Sequence, residues 1–306
     1  MKCLITGAFG FLGRNVIESC FANGIEVVAI DRYLPDWALA LDGVKSFRLD
    51  FCEANQVRPL LDGVDVVLHM ACTQFPAESN LDPYFDVISN IGGTVKLLEL
   101  CVDAGVKRFI YMSSGGTVYG IPKTTPIGES HEKSPDCSYG IAKLSVEHYL
   151  RLFMKLHGIS TCAIRLANPY GRYQNPHSTQ GAVAVFVNRV LNGQEIVVWG
   201  DGSVRRDFIY VDDFVSALMK LMYAREVAGP LNIGSGRAVS IGELLAIIER
   251  EVGRKATVIY KPSRAMDVPV NYLDISAAKE KLGWAPAVVL EEGISRTVAW
   301  QRSVNA

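Results

Sequence analysis

The amino-acid sequence predicts an α/β protein with a Rossmann-type, doubly wound parallel sheet and a smaller C-terminal α/β domain. Short apolar segments alternate with amphipathic segments from residue 2 to residue 166, which is typical of strands joined by crossover helices. A glycine-rich turn joins the first apolar segment to the first amphipathic one. Beyond residue 167 the alternation gives way to a polar loop and shorter elements. We therefore predict a first domain over residues 1–167, to which residues 204–235 return, and a second over 168–203 and 236–306.

The glycine-rich turn is the first functional signal in the chain. The first strand, residues 2–6, runs into Gly7-Ala8-Phe9-Gly10-Phe11-Leu12-Gly13, and a helix and a second strand ending at Asp31 follow. Glycines permit a tight turn and let the backbone approach a pyrophosphate, which then lies at the positive end of the helix. The three-residue spacing of the glycines differs from the G-x-G-x-x-G pattern, and a turn without a ligand is the alternative. Because Asp31 is placed to bond a ribose, we predict a dinucleotide site.

The charges beside this turn bear on which dinucleotide binds. The Asp31 carboxylate would accept bonds from ribose hydroxyls and repel a 2′-phosphate, which favours NAD. Arg14 and Arg32 argue in the other direction, because a guanidinium there could pair with that phosphate. We predict NAD, bound by the glycine turn and by later residues, mostly at strand ends: Gly7, Phe9, Gly10, Phe11, Leu12, Gly13, Asp31, Arg32, Asp50, Phe51, Met70, Ala71, Cys72, Asn90, Tyr139 and Lys143.

Two of these residues keep a second interpretation. Asp50 follows a predicted strand at residues 44–49, where an adenine amine could be met, but it could equally cap a turn. Asn90 lies near the middle of a predicted helix over residues 83–104, where it either faces solvent or holds a water near the catalytic pair described below.

The other elements follow from the same patterns. Strands are predicted at residues 64–70, 107–112, 160–166, 196–199, 231–233 and 257–260, and helices at 182–191, 211–223, 241–252, 275–281 and 290–301, besides one that carries Tyr139 and ends near Gly158.

Tyr139 and Lys143 form the candidate catalytic pair. They are four residues apart, so on a helix they share one face and their polar tips can converge. A nearby ammonium favours the phenolate and lowers the tyrosine pKa from its usual value of about 10, so we predict that Tyr139 is a general acid/base. The same spacing is common on exposed helices, so the prediction depends also on the dinucleotide site and on a hydroxyl-rich loop upstream.

That loop, Ser113-Ser114-Gly115-Gly116-Thr117, follows a predicted strand at the sheet edge where doubly wound folds bind ligands. Ser114 could bond a substrate oxygen and orient it toward Tyr139, and Ser113 and Thr117 are alternatives. Gln74, in the loop after residues 69–72, could line the substrate pocket. A turn rich in serine and glycine is otherwise ordinary.

Charge and composition exclude several function classes. The 31 basic and 32 acidic residues nearly cancel, and no basic run carries interleaved aromatics, so we expect no nucleic-acid or membrane partner. No signal peptide and no membrane span are predicted. The seven cysteines are odd in number and never spaced Cys-x-x-Cys, so we expect reduced thiols and a cytoplasmic protein. The histidines show no ligand spacing, so no metal site is predicted.

Taken together, the motifs resemble those of the extended short-chain dehydrogenase/reductase family. Within that family the chain is most similar to NAD-dependent nucleotide-sugar epimerases of the UDP-glucose (UDP-galactose) 4-epimerase type. The matching motifs span nearly the whole chain: Gly7-x-x-Gly10-x-x-Gly13, His69-Met70-Ala71, Asn90-Ile91-Gly92-Gly93-Thr94, Ser113 to Gly120, Tyr139-x-x-x-Lys143, Arg165 to Gly171, Gly200-Asp201-Gly202, Arg206 to Asp213, Asn232-Ile233-Gly234 and Arg264-Ala265-Met266-Asp267.

The resemblance implies a reaction without net redox. The Tyr139 phenolate would take the proton of the sugar O4 while C4 passes hydride to NAD, and the 4-keto sugar would receive the hydride back on its other face. Ser114 would hold that oxygen, and Lys143 would bind the nicotinamide ribose. The substrate would be a nucleotide sugar, most simply a UDP-sugar, and the enzyme a homodimer. Implied substrate residues are Gln74, Ser113, Ser114, Thr117, Asn168, Val198, Arg206, Arg264, Asp267 and Asn271.

Within this set the resemblance gives individual roles. The Asn168 position contacts the substrate diphosphate, and Arg206 and Arg264 clamp its phosphates, as the bidentate guanidinium geometry allows. Surface ion pairs are the alternative for both arginines. The Asp267 position bonds the nucleoside ribose, and Asn271 lies at the gate of the sugar pocket.

Two departures from relatives bear on the reaction. Dehydratases and decarboxylases of this family carry acidic residues where this chain has Gly115-Gly116, which favours epimerisation. A small Asn271 at the gate leaves exchange of UDP-GlcNAc and UDP-GalNAc open. A reductase or dehydratase on the same scaffold is one rival, and a non-catalytic dinucleotide sensor is another. The presence of both Tyr139 and Lys143 argues against the sensor.

Overall fold

The computed structural model describes residues 1–41, 43–263 and 268–305, and its elements follow the predicted alternation. The strands are β1 (Lys2–Thr6), β2 (Glu26–Asp31), β3 (Val44–Arg48), β4 (Val66–His69), β5 (Arg108–Ser114), β6 (Ser160–Leu166), β7 (Asn168–Tyr170), β8 (Glu195–Trp199), β9 (Arg205–Arg206), β10 (Phe208–Tyr210), β11 (Gly229–Ile233), β12 (Val239–Ser240), β13 (Thr257–Lys261) and β14 (Val270–Asn271).

The α-helices lie between these strands and after the last of them. They are α1 (Phe11–Ala22), α2 (Asp36–Leu39), α3 (Ala54–Val57), α4 (Pro76–Ser79), α5 (Pro83–Asp86), α6 (Gly93–Asp103), α7 (Ser138–His157), α8 (Ala182–Leu191), α9 (Val211–Tyr223), α10 (Ile241–Val252), α11 (Ser276–Leu282) and α12 (Leu290–Asn305). A 3-10 helix spans Arg58–Leu61, and a π-helix spans Val87–Gly92. Within the described residues, no helix combines the length and hydropathy needed to cross a membrane.

Seven strands form one parallel sheet in the order β11-β6-β5-β4-β1-β2-β3. β1 pairs in parallel with β2 on one side and with β4 on the other. The chain therefore builds outward from β1 to β3, then crosses back and builds outward from β4 in the other direction. The position between β1 and β4 is a topological switch point, and the strand ends there border a crevice suited to ligands. The predicted Rossmann-type fold class is confirmed.

The sheet forms because its central strands are apolar on both faces. All residues of β4 are buried, as are all but the first of β1 and all but the last of β5. Parallel sheets are covered on both faces, which explains these continuous apolar runs. One core cluster joins these strands to α6 and α7, with Leu4, Val67, Phe109, Leu97 and Val146 among its fully buried side chains.

The chain divides into two compact units. Unit 1 comprises Met1–Tyr119, Lys133–Arg165 and Leu218–Leu231, and unit 2 comprises Gly120–Glu132, Leu166–Ala217 and Asn232–Ala306. Chain segments thus pass between the units several times. That unit 1 binds the dinucleotide and unit 2 the nucleotide sugar remains a prediction from the sequence.

Unit 2 contains small sheets and a buried carboxylate that joins separate segments. β9 pairs with β12 and β14, β10 with β7, and β13 with β8. The fully buried Asp207 accepts hydrogen bonds from the backbone N–H and hydroxyl of Ser235 (2.7 and 2.6 Å) and from the N–H groups of Gly236 and Leu273 (both 3.2 Å). A buried carboxylate needs several donors to offset its lost hydration, so Asp207 stabilises unit 2 through these bonds.

The helix predicted over residues 83–104 is interrupted. It consists of α5, the π-helix Val87–Gly92 and α6, and α-helical hydrogen bonding resumes at Gly93. A β-carbon at Gly93 would lie 2.5 Å from the Cys52 sulfur, so this turn packs directly on the segment after β3. Hydrophobic periodicity does not reveal such a change of winding. The short elements α2, α3 and α4 were not predicted, because four residues are too few to show a period.

Candidate active site

The helix α7 presents Tyr139, Lys143 and Glu147 at successive intervals of four residues on one face. The Lys143 side chain is buried, and its Nζ donates a 2.7 Å hydrogen bond to the carbonyl of Met112 at the end of β5. The same Nζ lies 5.3 Å from the centre of the Tyr139 ring and 4.7 Å from that of Tyr111. The predicted convergence of the Tyr139 and Lys143 side chains is therefore present within unit 1.

The pKa of Tyr139 differs from the expectation. The sequence predicted a value below 10, but removal of the hydroxyl from bulk water raises the pKa of Tyr139 well above its usual value. Cys72, Cys137 and Asp86 raise it further, whereas a hydrogen bond with Ser114 lowers it. Spacing along a helix reveals a neighbouring charge but not the burial that opposes it.

The three candidate hydroxyls, two at the end of β5 and one in the loop after it, have different surroundings. Ser113 is buried and donates a 2.5 Å bond to Glu147, which turns its hydroxyl toward α7. Ser114 is partly exposed and is the residue that hydrogen bonds Tyr139. The hydroxyl oxygen of Thr117 is buried and has no hydrogen-bond partner among the described residues. Of the three, Ser114 alone is bonded to the predicted acid/base.

Glu147 belongs to a buried ion pair behind the site. Arg165 on β6 donates to both of its carboxylate oxygens, at 3.0 Å from Nε and 2.5 Å from Nη2, and its Nη1 donates 2.9 Å to the Tyr119 hydroxyl. Fork-like pairing of this kind is short and directional. Because Ser113 donates to the same carboxylate, the pair fixes the end of β5 against α7 and β6.

His69 at the end of β4 lies in a chain of hydrogen bonds whose proton directions can be assigned. Thr94 donates its hydroxyl proton to the carbonyl of Asn90, so at 2.8 Å it must accept from His69 Nε2. His69 Nδ1 then accepts from the Thr6 hydroxyl at 2.6 Å, and Thr6 accepts from the Ala71 N–H at 3.1 Å. Burial lowers the pKa of His69 to about 3, and the Lys143 charge adds to this. The imidazole is therefore neutral near pH 7.

The glycine turn has the geometry of a close-packed phosphate loop. Gly7 has φ +67°, and a β-carbon there would lie 2.8 Å from the backbone nitrogen of Ala71 after β4. A β-carbon at Gly13 would collide with the carbonyl oxygens of Gly7 and Ala8. Gly10 precedes α1 in extended backbone, no side chain caps the helix, and its first turn contains no acidic residue. The positive end of α1 thus suits an anion, and these residues fit a dinucleotide pyrophosphate.

Asp31 ends β2 beside this turn. One of its carboxylate oxygens accepts from the N–H of Phe9 at 3.1 Å, and the other from the N–H of Tyr33 at 3.3 Å. The carboxylate therefore orders the glycine turn while staying partly exposed, as a ribose contact would require. From the sequence, Arg14 could pair with a 2′-phosphate, which would argue against NAD. In the structure its guanidinium stacks 4.2 Å from the centre of the Trp37 ring.

Of the other predicted cofactor residues, three contact neighbouring residues and the rest occupy partly or fully exposed positions. Asp50 accepts the N–H of Cys52 at 3.0 Å, which is the turn-capping alternative, and the buried Phe51 packs edge-on against His69 with ring centres 4.7 Å apart. The Asn90 amide bonds Thr73 and Asp86. Partly or fully exposed positions are occupied by Phe9, Gly10, Phe11, Leu12, Arg32, Met70, Ala71 and Cys72.

The predicted substrate residues of the later chain lie in unit 2. Asn168 donates its side-chain amide to the carbonyl of Asp207 at 2.8 Å, and Val198 is buried in β8. Arg206 on β9 is in register with the buried Asn271 on β14, and its Nη1 donates 2.6 Å to the carbonyl of Val268. Arg264 and Asp267, which the resemblance also implies, lie outside the described residues.

Sequence reasoning missed three side chains of this region. Asp86 is fully buried; its charge raises the pKa of Tyr139 and opposes the lowering of the Lys143 pKa by burial. Glu147 continues the Tyr139–Lys143 spacing by one more turn, and this regular interval was the signal available in the sequence. Trp37 packs against Phe9 with ring centres 5.8 Å apart, and nothing in the sequence marks it.

Comparison with known proteins identifies the group to which this geometry is similar. The model of the NAD-dependent epimerase/dehydratase family matches residues 3–234. A UDP-glucose 4-epimerase of Mycolicibacterium smegmatis is 35% identical over 99% of each chain. The solved UDP-glucose 4-epimerase of Thermotoga maritima with UDP-glucose is 36% identical over 100% of each chain, with a TM-score of 0.94. A dTDP-4-dehydro-6-deoxyglucose reductase of Escherichia coli is 31% identical over 96% of each chain.

These similarities confirm the predicted resemblance and the expectation of an enzyme. NAD is also confirmed as the cofactor of the group, since the matching family is described as NAD dependent. Because relatives of nearly equal identity include epimerases and a reductase, identity alone does not separate their reactions.

We expect Gly7→Ala to weaken NAD binding at least tenfold, because its β-carbon would displace the backbone at Ala71. Gly24→Ala is the matched control, since Gly24 has φ +65° but open space around its β-carbon position. Both variants carry the same left-handed strain of about 1–2 kcal/mol. Calorimetric titration with NAD measures the difference, and equal affinities of the two variants would refute the role of close approach.

Replacement of His69 by Gln should flatten the acid limb of the stability profile. The folded pKa of about 3 lies below the unfolded value, so this group's stabilisation is complete above pH 6.5 and is lost as the pH falls toward 3. Between pH 7 and pH 5 the wild type should lose about 2 kcal/mol more than His69→Gln in urea unfolding. Equal losses would show that the imidazole is not held neutral.

Proposed function

The chain belongs to the NAD-dependent epimerase/dehydratase family, and on that premise we propose that it epimerises a UDP-sugar at C4, interconverting UDP-glucose and UDP-galactose. The observation that carries this proposal is the convergence of Tyr139 with the Lys143 ammonium and with the Ser114 hydroxyl. An acid/base, a cation that favours its ionised form and a donor for the substrate oxygen are what an alcohol–ketone interconversion requires.

In the proposed reaction, Tyr139 removes the proton of the sugar O4 and later returns it. Ser114 donates to that oxygen and keeps it beside the phenol. NAD, when bound to the glycine turn, supplies reversible hydride exchange with C4. The return of hydride to the opposite face of C4 requires the keto sugar to turn over, so its contacts must allow rotation while its nucleotide stays bound.

The ionisation of Tyr139 depends on nearby positive charge, since burial alone opposes it. Lys143 supplies that charge 5.3 Å from the centre of the ring. Burial raises the pKa of Tyr139 but lowers that of Lys143. Cys72, Asp86 and Glu147 oppose the lowering at Lys143 by favouring the protonated amine. The carboxylates thus keep the lysine charged, and the lysine in turn favours the phenolate.

The glycine at position 116 supports epimerisation over dehydration or decarboxylation. A β-carbon at Gly116 would lie 3.8 Å from the Ser114 hydroxyl, so any side chain there would start beside the substrate oxygen. Glycine offers no acid at this place. Expulsion of a hydroxyl needs such a group, whereas exchange of hydride at C4 does not.

Two polar atoms in unit 1 suit the hydroxyls of a sugar. Gln74 Oε1 and Thr117 Oγ1 are buried and have no hydrogen-bond partner among the described residues. Such atoms cost free energy when left without a partner, and a bound substrate would offset that cost. In unit 2 we assign the substrate diphosphate to Arg206 and Asn168, and we extend this assignment to Arg264 and Asp267 for the phosphate and ribose.

We also propose a homodimer formed through unit 1. Two apolar segments of unit 1, residues 90–100 and 146–153, belong in part to the core, because Leu97, Leu98, Val146 and Phe153 are buried. Nine exposed apolar side chains lie just before α5, in α5, in the π-helix and in α7: Leu81, Tyr84, Phe85, Val87, Ile88, Ile141, Tyr149, Leu152 and Leu156. α5, the π-helix and α7 contact one another, and exposed apolar side chains on neighbouring elements are typical of a protein interface.

The proposed reaction predicts that the protein, supplied with NAD, interconverts UDP-glucose and UDP-galactose with no net change in NADH absorbance. Tyr139→Phe should lower kcat by about 10²–10⁴-fold while NAD still binds, because only the acid/base is removed. Chromatographic separation of the C4 epimers from a panel of UDP-, dTDP-, GDP- and CDP-sugars measures turnover. Net NADH consumption would assign a reductase instead, and an active Tyr139→Phe would refute the role of the phenol.

The interface predicts that Leu156→Glu yields a monomer, because a charge would be buried at the contact. Phe21→Glu is the matched control: Phe21 is 61% and Leu156 63% exposed, and both are on helices of unit 1. Light scattering after size-exclusion chromatography should give a dimer for the wild type and Phe21→Glu. A monomeric wild type at micromolar concentration would contradict the proposal.

A further inference from the structure

The first turn of α7 is capped by residues far away in the sequence. The residue before the helix, Cys137, makes no side-chain capping bond. Instead the N–H of Ser138 donates 2.9 Å to the side-chain oxygen of Asn80, and the N–H of Tyr139 donates 3.0 Å to the hydroxyl of Ser79. Helix N–H groups without such partners are costly, so the segment after β4 stabilises the turn that carries Tyr139.

Asp86, from the same segment, makes the third contact with this turn. Its Oδ2 accepts from the Ser138 hydroxyl at 2.7 Å, and its Oδ1 accepts from the side-chain amide of Asn90 at 2.7 Å. Asp86 is fully buried, and both partners are neutral. Within the described part of the chain, no lysine, arginine or histidine forms an ion pair with it.

Burying a carboxylate without a cationic partner costs free energy, and the location of Asp86 offsets this cost in two ways. It lies at the start of α7, where the helix dipole favours a negative charge. It also acts on the buried Lys143 ammonium, whose protonated form it favours. A neutral side chain of similar shape would provide neither effect, so the charge at residue 86 serves the catalytic helix.

We propose that Asp86 is a positioning residue that, through Ser138, holds the first turn of α7 so that the Tyr139 hydroxyl stays beside Ser114. The inference rests on the proposed function for its catalytic consequence, and the capping geometry stands apart from it. Asn90 extends the connection, because its amide also accepts from the N–H of Thr73 at 3.1 Å. Asp86 thereby joins the helix that carries the acid/base to the loop that leads to Gln74.

This arrangement predicts which kinetic parameter changes when the first turn of α7 is disturbed. A small displacement of Tyr139 would misalign the proton transfer, and an error of about 1 Å can cost about 10²-fold in rate. Contacts of Arg206 and Asn168 with the nucleotide would be unaffected, so binding should change little. We therefore expect kcat to fall and KM to stay nearly unchanged.

The experiment compares Ser138→Ala with the matched control Ser145→Ala. Both serines lie on α7, but Ser145 donates only to the carbonyl of Ile141 in its own helix, at 2.8 Å. We expect Ser138→Ala to lower kcat by about 10–100-fold with KM within about twofold, and Ser145→Ala to match the wild type. Ser138→Thr keeps the hydroxyl and should restore kcat. Asp86→Asn should reproduce the loss seen in Ser138→Ala.

Amide hydrogen exchange gives a second measurement that does not require activity. The amides of residues 138 and 139 should exchange faster in Ser138→Ala and in Asp86→Asn than in the wild type or Ser145→Ala. Unchanged exchange in Ser138→Ala overturns the proposal, as does a fall in kcat shared by both serine variants or matched by a rise in KM. If the wild type epimerises no sugar, the proposed function fails, while the exchange data still decide whether Asp86 holds the helix start.

Discussion

The site depends on one buried positive charge, the ammonium of Lys143. It is 4% exposed, hydrogen bonded to a strand carbonyl and flanked by the rings of Tyr111 and Tyr139. A cation in such a place loses its charge unless anions surround it. Two buried carboxylates favour its charged form, and their own partners differ: Glu147 is paired with Arg165, whereas Asp86 is bonded only to neutral groups. The electrostatics of the phenol follow from where these charges lie.

The sheet order explains why the required groups meet in unit 1. β1, β4 and β5 are neighbours, so the loops that follow them leave the same edge of the sheet. The glycine turn follows β1, His69 ends β4, and Ser114 ends β5. The turn after β1 touches the backbone after β4 so closely that Gly7 has no room for a β-carbon. The glycine turn and the polar chain through His69 therefore stabilise each other.

The polar interior of this unit is ordered by directional hydrogen bonds. Each hydroxyl in the series from Thr6 through His69 to Thr94 has one defined proton direction, which fixes the imidazole tautomer. The series continues through Asn90 to Asp86 and reaches the first turn of α7. Fully satisfied buried networks are rigid, because any rotation leaves a buried group without a partner. Tyr139 is thus supported from the strand ends as well as from its own helix.

The sequence by itself determined the fold class, the glycine turn with Asp31, the Tyr139–Lys143 pair and the family, because each is a local pattern of spacing or periodicity. Only the tertiary structure decided that burial raises the phenol pKa, that Ser113 turns to Glu147 while Ser114 bonds Tyr139, and that Asp86 accepts a hydrogen bond from Ser138 in the first turn of a helix that begins more than fifty residues later. These facts depend on segments distant in the chain. Burial and the partner of a buried polar group are set by packing, which no local pattern of residues specifies.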